Sequence, residues 1–113
     1  MEKPLTNFID FTSLDIRIGT IIKAEVFEKA RKPAYKLWID FGVELGTLKT
    51  SAQITERYTC KALQRKKVVA VVNFPKKQIA DFMSECLVLG SLGEDGVSLL
   101  IPDLDAKNGE KVA

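Results

Sequence analysis

Asn73-Phe74-Pro75-Lys76-Lys77 follows an unbroken apolar run, Val68 to Val72, and Ser84-Glu85 precedes a second apolar stretch, Leu87 to Leu89. An amide, an aromatic ring, two ammoniums, a hydroxyl and a carboxylate therefore stand together between two buried strands. Their chemistry is non-covalent recognition. Asn73 and, further up the chain, Gln53 each offer a donor and an acceptor, which suits a main chain or a base edge. Phe74 offers an apolar surface. Pro75 stiffens the loop behind it and lowers the entropy cost of ordering on binding.

No covalent chemistry competes with this reading. The chain contains no histidine, which removes the commonest general base and the commonest zinc ligand and excludes Ser-His-Asp and Cys-His catalysis. No motif places two carboxylates together, and no glycine-rich phosphate loop is present. Cys60 and Cys86 lie in no metal or redox spacing and read as buried free thiols. The expectation is a protein that is not an enzyme and carries no metal or cofactor.

The 113 residues suit a single domain, residues 1–113, and 46% hydrophobic with 28% charged residues is ordinary globular composition. No apolar run approaches the roughly 20 residues of a membrane helix. Without a signal-peptide pattern the expected compartment is the reducing cytoplasm. The net charge is only +2, but the charge is sorted: residues 49–77 hold eight basic residues and one acid, Glu56, while residues 78–113 hold two basic residues and seven acids. A near-neutral protein can still carry a basic face. Arg57, Lys61 and Arg65 recur at helical spacing and are expected to build one.

The elements that must position these groups are mostly strands. Residues 1–13 contain a short apolar cluster, Phe8, Ile9 and Phe11, and read as an arm or short helix. A long alternating strand follows, with Ile16, Ile18, Thr20, Ile22, Ala24 and Val26 on the inner face and Asp15, Arg17, Lys23 and Glu25 on the outer. Gly19 inside it suggests a bulge or sharp coil. A charged loop, 28–34, leads to a second strand with Tyr35, Leu37, Ile39 and Phe41 inward; Trp38 falls on the polar face, where it either caps a barrel end or presents a contact surface. Residues 47–54 read as a third strand. Thr55 is placed to cap a helix reaching about Arg65, with Tyr58, Ala62 and Leu63 inward. Residues 68–74 and 85–90 form the fourth and fifth strands, and Gly93-Glu94-Asp95-Gly96 turns the chain into Val97 to Ile101. The tail is polar, with an Asn108-Gly109 turn.

Three strands, a short helix, two strands and an extra hairpin is the order of an all-β, five-stranded OB barrel with one helix between strands three and four. An open antiparallel sheet or a sandwich fragment would show a similar pattern. The barrel is expected over about residues 14–91, with terminal segments 1–13 and 92–113. In such a barrel the third and fourth strands end close together, so Gln53, Asn73, Phe74, Ser84 and Glu85 share one rim, with Arg17 and Ser51 nearby. Glu85 can equally serve as a partner for Arg17. For nucleic acid, Arg57, Lys61, Lys76 and Lys77 supply charge, and Phe74 and Phe82 supply stacking surfaces, unless both rings belong to the core. For a peptide the same residues fit, with less demand on charge.

The sequence resembles the tRNA-binding domain family. The resemblance is carried by Leu14-Asp15-Ile16-Arg17-Ile18-Gly19-Thr20-Ile21, by Ser51-Ala52-Gln53-Ile54, and by Val69-Ala70-Val71-Val72-Asn73-Phe74 with Ser84-Glu85. Within that family, Ser-Ala-Gln-Ile and Asn-Phe-Pro make it most similar to the free-standing secretion chaperones. The resemblance implies a cytoplasmic homodimer that binds unfolded polypeptides or preproteins for export without ATP, working with the export machinery. The alternative it implies is a structure-selective tRNA-binding protein. Neither requires membrane insertion. It also implies dimerisation through segments outside the barrel, here Phe8, Ile9 and Phe11 with the hairpin residues Leu99 and Ile101.

Overall fold

A computed structural model of the protein describes residues 2–113. The chain opens with a short helix α1 (Phe8–Thr12) and continues through β1 (Ile16–Val26), β2 (Tyr35–Asp40) and β3 (Thr47–Ala52). A one-turn helix α2 (Cys60–Leu63) leads into β4 (Lys67–Val71), the hairpin β5 (Lys77–Ile79) and β6 (Phe82–Ser84), then β7 (Leu87–Val88) and the hairpin β8 (Gly90–Gly93) and β9 (Gly96–Leu99). The main sheet is antiparallel with strand order β3-β2-β1-β4-β7. The sheet curls until its ends meet. Glu85 N–H donates to the Lys49 carbonyl at 2.8 Å, and Thr50 Oγ1 donates to the Cys86 carbonyl at 2.6 Å. This is a nearly closed five-stranded OB-type barrel with its helix between β3 and β4. Closure removes the exposed edges that such short strands would otherwise present.

The barrel is filled by Ile21, Leu37, Ile39, Phe41, Leu63 and Val68, all fully buried. Leu63 is the one buried residue of α2 and plugs the barrel end. The helix is shorter than expected and is capped by Thr59, whose hydroxyl accepts from Ala62 N–H at 3.1 Å. Thr55 opens a turn over residues 55–57 instead. With only one helical turn, Arg57, Lys61 and Arg65 do not share a helix face; Arg65 already stands in the left-handed region at φ 69°.

The alternation in β1 breaks where the strand bulges, between Ile21 and Lys23. Before the bulge Ile16 and Ile18 face outward from the barrel, against Val69 and Val71 of β4, with Leu89, Ala106 and Val112 packed over them. Up to the bulge the odd positions face the interior, with Gly19 against Ile39 and Phe41 and Ile21 in the core; after it the even position Ala24 does. Ile22, at the bulge, and Val26, at the strand's end, are exposed, contrary to the period-two reading. Gly19 is not the bulge. It lies where a Cβ would come within 2.6 Å of the Ile39 side chain and 2.8 Å of the Phe41 ring, so glycine is required there for the close approach of the packed side chains.

The polar tail is tied down. Gly109 N–H donates to Ile18 O at 2.7 Å, Ile18 N–H to Glu110 O at 2.9 Å and Val112 N–H to Ile16 O at 2.8 Å. It thereby covers the outer cluster, and β4 is buried on both faces, which explains its unbroken apolar run. Leu99 also turns inward, 7% exposed, and belongs to the barrel core. It is therefore unavailable to an interface, whereas Ile101 is exposed.

Candidate functional site

The hairpin β5–β6 folds onto the outside of the barrel, with β6 against β3. Its anchor is Phe82, 5% exposed, whose ring meets Phe27 edge-on at 5.4 Å and Trp38 at 5.9 Å between centroids. The ammoniums of Lys36 and Lys49 sit over the same ring at 5.2 and 5.3 Å, an attraction of cation for ring face. Phe82 is thus consumed by packing, while Trp38 is half-buried, its ring meeting Phe82 and carrying the Lys23 ammonium at 4.7 Å. Phe74, 45% exposed, remains at the surface.

Between this hairpin and the 28–34 loop runs a groove of about 860 Å³. One wall is Lys29, Ala30, Arg31, Lys32 and Ala34; the other is Lys77, Gln78, Ile79 and Ala80; Ser51 and Gln53 at the end of β3 form the floor. Ser84 supports that floor: its hydroxyl lies 2.9 Å from Thr50 Oγ1 and accepts from Ser51 N–H at 3.4 Å. The groove is cationic: its walls carry Lys29, Arg31, Lys32 and Lys77, with Asp81 at the hairpin tip paired to Lys29 at 2.8 Å. It contains no aromatic ring, and Ala30, Ala34, Ile79 and Ala80 give it an apolar strip.

The expected site residues divide. Ser51, Gln53 and Lys77 line the groove, and Ser84 braces it. The others serve elsewhere. Asn73 accepts from Asp15 N–H at 2.8 Å and donates to the Ser13 carbonyl at 2.9 Å, so its amide is spent on the start of β1. Arg17 is buried against Asp15 at 2.6 Å and Glu44 at 2.9 Å and donates to Gly109 O at 3.2 Å. The hydrogen bonds to these two carboxylates, Asp15 foremost, raise its pKa further. Glu85 does not pair with Arg17. It accepts from Lys49 N–H at 3.0 Å and faces Lys76 at 3.5 Å, holding the barrel seam. Arg57 and Lys61 are exposed and lie off the groove.

Sequence reasoning missed Lys29, Arg31 and Lys32, and Gln78 and Ile79. The signal was present: after Glu28 the first inter-strand loop reads Lys-Ala-Arg-Lys with no further acid, and in an OB barrel this loop stands beside the loop between strands four and five. Neither cysteine adds chemistry. Burial pushes the Cys86 thiol up to about 12 and raises that of Cys60, so neither is a thiolate near neutrality.

The tRNA binding domain family model matches residues 16–111, spanning the whole barrel and the tail that covers it. The chain belongs to the tRNA-binding domain family. Two solved structures are similar over their full lengths. The CsaA chaperone protein from Picrophilus torridus is 50% identical with TM-score 0.93, covering 96% of this chain and 100% of that one. Chaperone CsaA from Bacillus anthracis is 50% identical with TM-score 0.92, covering 97% and 100%. A methionine–tRNA ligase from Pelodictyon phaeoclathratiforme is 34% identical over 111 residues, 97% of this chain but 15% of the ligase. The chain thus spans about 15% of the length of the ligases it matches, the size of an appended tRNA-binding-type domain.

Proposed function

We propose that this protein is a non-catalytic chaperone that holds unfolded polypeptides, including preproteins for export, in the groove between the 28–34 loop and β5–β6. On this reading it acts without ATP, in the cytoplasm, as a homodimer that serves the export machinery. The observation that carries it is the lining of the groove. An apolar strip of Ala30, Ala34, Ile79 and Ala80 runs beside polar Ser51, Gln53 and Gln78, with no ring for a base to stack on. Side-chain pockets with a few amides and hydroxyls for the main chain are what an extended peptide needs. Sequence-tolerant binding of single strands relies on stacking platforms. The full-length likeness to two CsaA chaperones supports the same reading.

A second reading, structure-selective tRNA binding, is favoured by a separate observation. Arg57 and Lys61 are exposed beyond the groove, and neither has a carboxylate within salt-bridge distance among the described residues. Exposed cations without a carboxylate partner are what phosphate binding requires. Competition between labelled tRNA and a labelled unfolded preprotein on the purified protein separates the two. Arg31→Glu with Lys77→Glu is expected to weaken preprotein binding, whereas Arg57→Glu with Lys61→Glu leaves it unchanged. A preprotein indifferent to the first pair, with tRNA lost in the second, favours the tRNA reading.

A further inference from the structure

Resting on the polypeptide-holding reading, we infer that the groove selects acidic, extended segments, taken up as a strand along β5, and that Asp81 is the built-in acid they displace. Three features of the groove lead to this.

The first is charge. Of its four cations, only Lys29 has a carboxylate within salt-bridge distance among the described residues: Asp81, at 2.8 Å. Arg31, Lys32 and Lys77 have none. Four cations gathered in a concave site, with one carboxylate to set against them, attract an anionic ligand. The 28–34 loop and the hairpin present them from opposite sides, so side-chain carboxylates projecting both ways from one extended chain find partners on either wall.

The second is the free edge of β5. The register pairs Ile79 with Phe82, Gln78 with Met83 and Lys77 with Ser84, around a two-residue turn, Ala80-Asp81, whose first member has φ 53°. In a two-residue hairpin the pair that closes the turn is the hydrogen-bonded one, so the next pair is not. Gln78 therefore points its N–H and C=O away from β6. β6 lies on the barrel side and β5 is the outer strand. All three residues of β5, Lys77 to Ile79, border the groove, together with Ala80 of the turn. Alternate side chains of a strand point to opposite faces, so a strand lining the groove with every residue presents its edge. Main-chain pairing to such an edge gives affinity without demanding a sequence.

The third is the Lys29–Asp81 pair itself. It joins the tip of the hairpin to the opposite loop, across the groove that a ligand must enter. Both side chains are well exposed, the setting in which ion pairs are weak and salt-sensitive. Their mutual hydrogen bond shifts Lys29 up and Asp81 down, so both are charged at neutral pH and the clasp is formed. A ligand carboxylate that reaches Lys29 replaces Asp81, and the charge count at Lys29 is conserved. A neutral segment has nothing to offer in exchange, and a basic one is repelled.

The test uses the intact protein and three labelled disordered peptides: one rich in Glu, Ser and Ala, its Gln-for-Glu counterpart and its Lys-for-Glu counterpart. Fluorescence anisotropy is expected to rank them in that order, with the Lys form at least about tenfold weaker than the Glu form, since like-charge juxtaposition costs several kcal/mol. Asp81→Asn keeps a turn-competent side chain and removes the competitor. It is expected to tighten the Glu peptide about twofold to fivefold, the worth of an exposed pair, and to leave the Gln peptide unchanged. Asp81→Ser provides the same readout if the Asn variant is unstable. Methylating alternate backbone amides of the Glu peptide is expected to weaken it; unchanged affinity overturns strand addition. If all three peptides bind alike, or Asp81→Asn leaves the Glu peptide unchanged, acid selection is overturned while polypeptide holding stands. If no peptide binds and tRNA binds more tightly to Asp81→Asn, the clasp gates nucleic acid and the polypeptide reading falls with it.

Discussion

The Asn73 side chain joins the end of β4 to the start of β1: its Oδ1 accepts the Asp15 N–H at 2.8 Å while its Nδ2 donates to the Ser13 carbonyl at 2.9 Å. Beside it, Val72 N–H donates to Asp15 O at 2.8 Å. Asn73→Ala is therefore expected to destabilise the protein by about 1–2 kcal/mol, the usual worth of paired hydrogen bonds that lose one side. Urea unfolding measures this. Peptide affinity of the folded variant is expected to match the parent; a loss of binding at unchanged stability would return Asn73 to the recognition site.

The barrel was readable because its signals are repetitive. Tyr35, Leu37, Ile39 and Phe41 alternate without a break, and all four are buried; the run from Val68 to Val72 reads as a buried strand, and β4 is one. What resisted reading was decided by tertiary contacts. The β1 bulge reverses which face is inward, and no residue in Ile21-Ile22-Lys23 announces it. The hairpin β5–β6 is too short to show alternation, and its existence depends on Phe82 finding Phe27 and Trp38. Asn73 and Arg17 read as recognition groups because polar side chains beside buried strands suit that task. The same chemistry serves to staple strands, and only the partners decide which. Lys29, Arg31 and Lys32 were legible as charge but not as a wall, since the opposite wall lies some fifty residues further on, at Lys77 to Ala80.

Phe82 carries the hairpin. Truncating it removes two edge-on aromatic contacts and the ring beneath Lys36 and Lys49. Phe82→Ala is expected to cost about 3 kcal/mol, the lower end for a buried ring, and to release the groove wall. Amide exchange checks the locality of the effect: protection is expected to fall across 77–84 while Ile21, Leu37 and Val68 stay protected. Uniform loss of protection would mean that the hairpin and the barrel unfold as one unit.

Helix α1 buries none of its residues, and Phe8 and Ile9 are 76% and 74% exposed. A helix of one turn is not stable alone in water, so its apolar face calls for a partner, and a second copy meets that need under the proposed homodimer. Phe8→Ser with Phe11→Ser is expected to shift light scattering from dimer toward monomer. Little stability is lost in the monomer, since neither ring fills its core. A parent protein that scatters as a monomer at micromolar concentration would exclude this arrangement.

Cys86 makes alkaline stability a measure of the barrel seam. Its thiol is buried beside Thr50, and burial, reinforced by Glu85, lifts it from the ordinary 9.0 to about 12. Below pH 9 the thiol is protonated in both folded and unfolded chains, and stability does not depend on it. Between pH 9 and 12 the unfolded chain releases this proton and the folded chain holds it, so stability falls as pH rises. Other groups titrate there too, so the informative quantity is a difference. Cys86→Ala removes the thiol and is expected to flatten the decline over that interval relative to the parent, despite a lower stability at neutral pH from the small cavity. Denaturant midpoints for both proteins across pH 8 to 11 measure it. Parallel curves would show that Cys86 titrates normally, and hence that the contact of Lys49 and Thr50 with Glu85 and Cys86 opens readily, leaving the barrel unclosed at that seam.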